Sequence, residues 1–124
     1  LVAGGSGVVP LMAMARRRAR VGSDAPMRLV YSSRTWEDVI YRDELETLGI
    51  DVLHTLTRAQ PPGWNGYSRR IDDELLGDVA FPAADEPRVY VCGSTRFVDA
   101  AADGLVRLGY DPRWVRTERF GATG

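Results

Sequence analysis

At 124 residues, 44% of them hydrophobic and 27% charged, the chain has the composition of one soluble globular domain, which excludes a disordered tail, a membrane-spanning bundle and a multidomain array. All 16 basic residues are arginine, and against 17 acids they leave a net charge of -1, so no general nucleic-acid or acidic-membrane surface is expected. The single cysteine, Cys92, has no internal disulfide partner and fits a reducing, cytoplasmic compartment.

The chain opens on a short apolar strand, residues 1–3, and runs at once into Gly4-Gly5-Ser6-Gly7-Val8-Val9-Pro10. Glycines at 5 and 7 allow a tight turn and a close backbone approach to a ligand, and the free N–H groups at the start of the next helix face any anion placed there. The pattern suits a phosphate. Pro10 fits the first helical turn because it has no N–H to leave unpaired. The helix spans 10–20, and the charge of Arg16-Arg17-Arg18 suits the negative end of its dipole. A start at Leu1 inside a core strand, without Met, reads as a piece of a longer protein, and the glycine-broken apolar run is not a signal peptide.

A second strand covers 27–31 and leaves through Ser32-Ser33-Arg34. Thr35-Trp36-Glu37-Asp38 has the spacing of a capping box, and the helix it opens is expected to run to Leu48, with Gly49 as its stop. The third strand is 51–56. A loop over 57–70, carrying Pro61-Pro62-Gly63-Trp64-Asn65-Gly66, is too rich in turn formers for regular structure, and a short helix follows at 71–76. Residues 88–92 form a fourth strand. Gly93-Ser94-Thr95 then caps a helix whose apolar positions Val98, Ala101, Leu105 and Leu108 keep helical spacing up to Gly109. Residues 114–120 make a last strand or an extended tail.

Strands alternating with helices imply an α/β, Rossmann-like three-layer domain, with a parallel sheet of about five strands and ligands at the carboxyl ends of those strands. The unusual residues collect there: 5–10 after the first strand, Ser33-Arg34 after the second, Thr57-Arg58 after the third and Cys92-Gly93-Ser94 after the fourth. A hydroxyl beside a guanidinium at Thr57-Arg58 suits a phosphate monoester, and Arg34, Arg69 and Arg70 are placed to join it. His54 has no partner at metal-ligand spacing, so no metal site is expected. Asp72-Asp73 and Glu37-Asp38 sit at helix starts, where acids stabilise the dipole. Trp36, Trp64 and Trp114 read as too dispersed for a stacking platform, which speaks against single-stranded nucleic acid.

In this order the motifs resemble the pyridine-nucleotide-binding domain of the ferredoxin-NADP reductase family, flavoprotein electron transferases that include flavohaemoglobin and the oxygenase reductases. Gly4-Gly5-Ser6-Gly7-Val8-Val9-Pro10 is similar to the family's GGxGxxP pyrophosphate turn. Tyr31-Ser32-Ser33-Arg34-Thr35 to Tyr41-Arg42-Asp43-Glu44-Leu45 resembles its second strand and helix. Thr57-Arg58 stands where NADP-preferring members have Ser-Arg, followed by Trp64-Asn65-Gly66 and Arg69-Arg70-Ile71. Cys92-Gly93-Ser94 corresponds to Cys-Gly-Pro, and Glu118-Arg119-Phe120-Gly121 resembles the Glu-x-Phe-Gly tail.

The resemblance implies that residues 1–124 form a NAD(P)-binding domain in which NAD(P)H lies across the strand ends. Its pyrophosphate would rest on Gly5, Ser6, Gly7, Val8 and Pro10, and its adenosine phosphate near Ser33, Arg34, Thr57, Arg58 and Arg69. Its nicotinamide would lie near Cys92, Gly93 and Ser94, with Phe97 beneath. Cys92 and Glu118 then bring the ring onto a flavin, and Phe120 shields the flavin face. FAD or FMN belongs to an N-terminal β-barrel with an Arg-x-Tyr-Ser/Thr motif, and nothing of that kind precedes Leu1. That barrel is therefore the partner expected in cis, and the final acceptor is a haem, an iron–sulfur protein or an oxygenase. Thr57-Arg58 favours NADPH over NADH, although Thr57 replaces the commoner Ser and Ser94 the usual Pro. The alternatives are a dinucleotide-binding module without redox activity, and an NAD dehydrogenase of the GxGxxG type. Against the latter stand Pro10 at the last glycine position and Ser33-Arg34 in place of an acid after the second strand.

Overall fold

The computed structural model describes residues 1–120. Five parallel strands, β1 (Val2–Gly4), β2 (Arg28–Ser33), β3 (Asp51–Leu56), β4 (Val89–Gly93) and β5 (Val115–Arg119), lie side by side in the order β3-β2-β1-β4-β5. Between them run α1 (Val8–Arg20), α2 (Arg42–Thr47), α3 (Asp73–Val79) and α4 (Thr95–Arg107). The strand order reverses at β1, and in such sheets the crevice beyond the carboxyl ends opens at that reversal.

Side chains alternate across each strand, so one residue in two faces each layer. Val2, Val30 and Val91 join Leu75, Leu76 and Val79 of α3 and Val98, Ala101 and Leu105 of α4 in one core. Ala3, Leu29, Tyr31 and Cys92 join Val8, Leu11 and Met12 of α1 and Leu45 of α2 in the other. Both faces are covered, which is why these strands read as continuous apolar runs and why a parallel sheet is stable here. The expected three layers and five parallel strands are present.

The expected helix from residue 35 to 48 is broken in the structure. The Thr35 N–H and hydroxyl both donate to the Asp38 carboxylate, at 3.2 and 2.9 Å, but they close only one turn of 3-10 helix, Trp36–Asp38. Val39 then returns to extended backbone, and Tyr41 takes the left-handed conformation at φ 61°, so α2 starts only at Arg42. Two tertiary contacts enforce the break: Val39 is buried in the α1-side core, and the Tyr31 hydroxyl accepts the Ile40 N–H at 3.1 Å. The helix expected at 71–76 begins later, because Asp72 is its cap, accepting the Leu75 N–H at 2.9 Å, while Ile71 stays outside as a core residue.

Candidate functional site

The carboxyl ends of the strands meet along one edge of the sheet. β1 ends at Gly4, and the chain turns through one 3-10 turn, Gly5–Gly7, into α1. Gly5 is left-handed at φ +53°, and a Cβ there would meet nothing within 4 Å, so this part of the turn faces open space beside exposed Ser6. Gly7 has a different task. A Cβ on it would lie 2.5 Å from the carbonyl carbon of Cys92 and 2.9 Å from the nitrogen of Gly93. It lets the turn pack against β4, so the close approach it provides is to the protein's own backbone. Val8 is buried in the core, leaving its backbone to the turn, and Pro10 is the third residue of α1.

α1 and α4, each of 13 residues, follow β1 after the single turn Gly5–Gly7 and β4 after Ser94, which sets their N-termini at this edge. Neither has an acid in its first turn, whereas α2 carries Asp43 and Glu44 there and α3 carries Asp73 and Glu74. Acids normally neutralise the positive end of a helix dipole, and the two long helices at the crevice have none in their first turns to do so. Ser94 caps α4, its hydroxyl oxygen accepting the Phe97 N–H at 3.3 Å. This is a physical use for serine where the resembling family has proline.

The exits of β2 and β3 are joined by their backbones. The Thr57 N–H donates to the Ser33 carbonyl at 2.9 Å, and the N–H groups of Arg58 and Ala59 donate to the Arg34 carbonyl at 2.9 and 3.2 Å. Ser33, Arg34, Thr57 and Arg58 are thus brought together, with Ser33 buried and both arginines exposed. Arg69 stands apart in its bonding: its guanidinium pairs with Asp72 and, at 3.3 Å, with Glu74 at the start of α3.

On the other side of the reversal, the Phe97 ring lies across two glycines. A Cβ on Gly4 would stand 2.7 Å from it, and one on Gly93 2.8 Å. Cys92 pairs with Glu118 across β4 and β5, and the Phe120 N–H donates to the Gly93 carbonyl at 3.1 Å. Cys92 is only 1% exposed. Burial pushes its thiol pKa up, and the Glu118 carboxylate adds to the effect, so the sulfur is a neutral group at ordinary pH. Glu118 and Phe120 are exposed, and Gly121 lies outside the described residues.

The tryptophans correct the sequence reading. Trp36 and Trp64 are not dispersed: their ring centroids lie 5.6 Å apart, the His54 ring meets Trp36 edge-on at 5.2 Å, and the Arg42 guanidinium lies 5.2 Å from the Trp36 ring. They meet because they lie on the exits of adjacent strands. The Trp64 indole N–H donates to the Tyr67 carbonyl at 2.9 Å, and the ring packs on Gly66, where a Cβ would come within 2.6 Å. His54 is partly buried under this cluster, and burial lowers its pKa. No helix among the described residues is long and apolar enough to cross a membrane.

A parallel sheet reversing at its central strand, with two acid-free helix starts there and a pair of arginines on the exits of the two strands to one side, has the form of an α/β domain of the dinucleotide-binding class. The sequence matches the oxidoreductase NAD-binding domain family over residues 1–103, and the chain belongs to that family. It is 38% identical over 129 residues to ferredoxin-NADP reductase B of Sorangium cellulosum (strain So ce56), covering 96% of this chain and 52% of that protein. It is 31% identical over 128 residues to the glycine betaine monooxygenase reductase subunit of Pseudomonas aeruginosa (strain UCBPP-PA14), covering 98% of this chain and 35% of that protein. Among solved structures it resembles the cytochrome b5 reductase domain of Ulva prolifera nitrate reductase, with a TM-score of 0.85 and 25% identity over 94% of this chain and 46% of that one. The chain therefore spans about half the length, or less, of the relatives it matches.

Proposed function

We propose that this chain is the NAD(P)H-binding half of a cytoplasmic flavin-dependent oxidoreductase, joined in its parent protein to an N-terminal flavin-binding β-barrel. The bound nicotinamide and flavin would supply the hydride chemistry, and electrons would pass on to a haem, an iron–sulfur protein or an oxygenase. This domain contributes binding, orientation and exclusion of water. The acid-free N-termini of α1 and α4, facing one crevice, are the observation that carries this reading.

The open turn at Gly5 and Ser6, with the first N–H groups of α1, would hold the pyrophosphate. Thr57 and Arg58, tied to Ser33 and Arg34, would hold the adenosine end, and an exposed guanidinium beside a hydroxyl favours NADPH through its 2′-phosphate. Phe97 would floor the nicotinamide beside Gly93 and Ser94. Cys92 would pack against the ring edge as a neutral group, Glu118 would orient it and Phe120 would cover the flavin face. Arg69 would help the adenosine end only by leaving its acid partners.

Calorimetric titration of the chain with NADPH and then NADH at one ionic strength tests the reading. Binding of both, tighter for NADPH, is expected; a folded chain that binds neither would overturn it.

A further inference from the structure

After the loop over 57–66 the chain returns to the strand it left. The Leu56 N–H donates to the Tyr67 carbonyl at 3.0 Å and the Tyr67 N–H to the His54 carbonyl at 3.3 Å, so Tyr67 lies beside Thr55 as a parallel bridge on the outer edge of β3. Thr55, only 1% exposed, then fixes the backbone of Arg69: its hydroxyl donates to the Arg69 carbonyl and accepts the Arg69 N–H at 3.2 Å. Thr55 stands three residues before Arg58, at most about 11 Å of chain. Two arginine side chains rooted that close can meet on one anion.

The Arg69 guanidinium nevertheless turns to the start of α3. Its Nη2 donates to the Asp72 carboxylate, and Glu74 Oε2 stands 3.3 Å from both terminal nitrogens. The fork with which arginine clasps a phosphate in two parallel bonds is thus held by carboxylates. Arg34 and Arg58, exposed on the two exits, have no carboxylate partner within 4 Å among the described residues.

The fold gains little from these two charges. The Arg69 side chain is 41% exposed and that of Glu74 73%, and ion pairs so exposed contribute little to stability. Asp72 caps α3 through Oδ1, which accepts the Leu75 N–H, while Oδ2 faces Arg69. Capping needs no charge, since asparagine caps a helix as well as aspartate.

We propose that Asp72 and Glu74 are specificity-determining residues: they compete with the adenosine 2′-phosphate for Arg69 and so hold down the preference for NADPH over NADH. The inference rests on the functional reading above. A phosphate dianion arriving between Arg58 and Arg69 must displace two carboxylates and then stand near them, whereas a ribose hydroxyl meets neither cost. Asp73, between the two acids in sequence, takes no part, because it pairs with Arg107 of α4 at 2.7 Å.

Calorimetry with NADPH and NADH on the unaltered chain, on Glu74→Gln, on Asp72→Asn and on the double variant tests this, since both substitutions remove charge while keeping shape and cap. Each single variant is expected to raise the ratio of NADPH to NADH affinity by about two- to fivefold and the double variant by about five- to tenfold, with NADH affinity within about twofold of its starting value. In an Arg69→Gln background the same substitutions should move the ratio by less than about twofold, which ties the gain to Arg69 rather than to the lowered negative charge. Binding of both coenzymes with the ratio unchanged in Glu74→Gln and in the double variant would overturn the inference and leave the functional reading standing. So would a gain that survives in full without Arg69. A folded chain that binds neither coenzyme would strike down both.

Discussion

Gly7 and Cys92 are packed backbone against backbone: a Cβ on Gly7 would stand 2.5 Å from the Cys92 carbonyl carbon. The turn that opens α1 is therefore seated on the end of β4, and neither can move without the other. Gly7→Ala is expected to cost about 1–3 kcal/mol, the usual range for overpacking a tight interior. Urea denaturation measures it, and NADPH and NADH affinities should fall together as the turn shifts. Unchanged stability with affinity lost would mean that Gly7 serves the ligand and not the seam.

Arg58 is exposed at the exit of β3, with its backbone held by Arg34. Arg58→Ala is expected to weaken NADPH by about 10- to 100-fold, the worth of a hydrogen bond to a charged group, and to leave NADH within about twofold. Calorimetry with both coenzymes decides, and equal losses would remove the 2′-phosphate from this position.

Ser94 holds the first turn of α4 by accepting the Phe97 N–H. Ser94→Ala should destabilise the domain by about 1 kcal/mol, read by chemical denaturation, and Ser94→Gly by only a few tenths. An identical loss for both would show that the hydroxyl is not the cap.

Cys92 gives the domain an alkaline limit. Its folded pKa lies above the ordinary 9.0, so its contribution to stability is whole below about that pH and is lost as pH rises further. The buried hydroxyls of Tyr31 and Tyr110 are raised too and act in the same direction at higher pH. Cys92→Ala should therefore flatten the fall in midpoint between pH ~8 and ~10 while leaving the steeper fall beyond it. Glu118→Gln should bring the thiol pKa part of the way down, burial being the larger cause, as followed by thiolate absorbance.

Glu118 lies exposed on β5, opposite Cys92. In the flavin-loaded parent protein, Glu118→Ala should slow hydride transfer by about tenfold, in the range of a positioning contact, with dinucleotide affinity nearly intact. Stopped-flow flavin reduction separates the two, and a normal rate would leave Glu118 a surface residue.

Local pattern carried most of the architecture. The apolar run into Gly4-Gly5-Ser6-Gly7, the helical spacing of Val98, Ala101 and Leu105, and the cap at Ser94 are contained within one or two turns of chain, so the elements were legible with small shifts at their ends. The exits carrying Ser33-Arg34 and Thr57-Arg58 were legible for the same reason. The helix break at Val39 was not, because the hydroxyl that holds Ile40 belongs to Tyr31 on the neighbouring strand. Nor was the meeting of Trp36 with Trp64, the capture of Arg69 by Asp72 and Glu74, or the seating of Gly7 on Cys92.

The sequence by itself determined which residues stand at the ends of strands and helices, since periodicity, caps and glycine turns act over a few residues. The tertiary structure alone decided which of those ends adjoin, because the order β3-β2-β1-β4-β5 is chosen by how two apolar faces are buried together, and only that order sets Gly7 on Cys92.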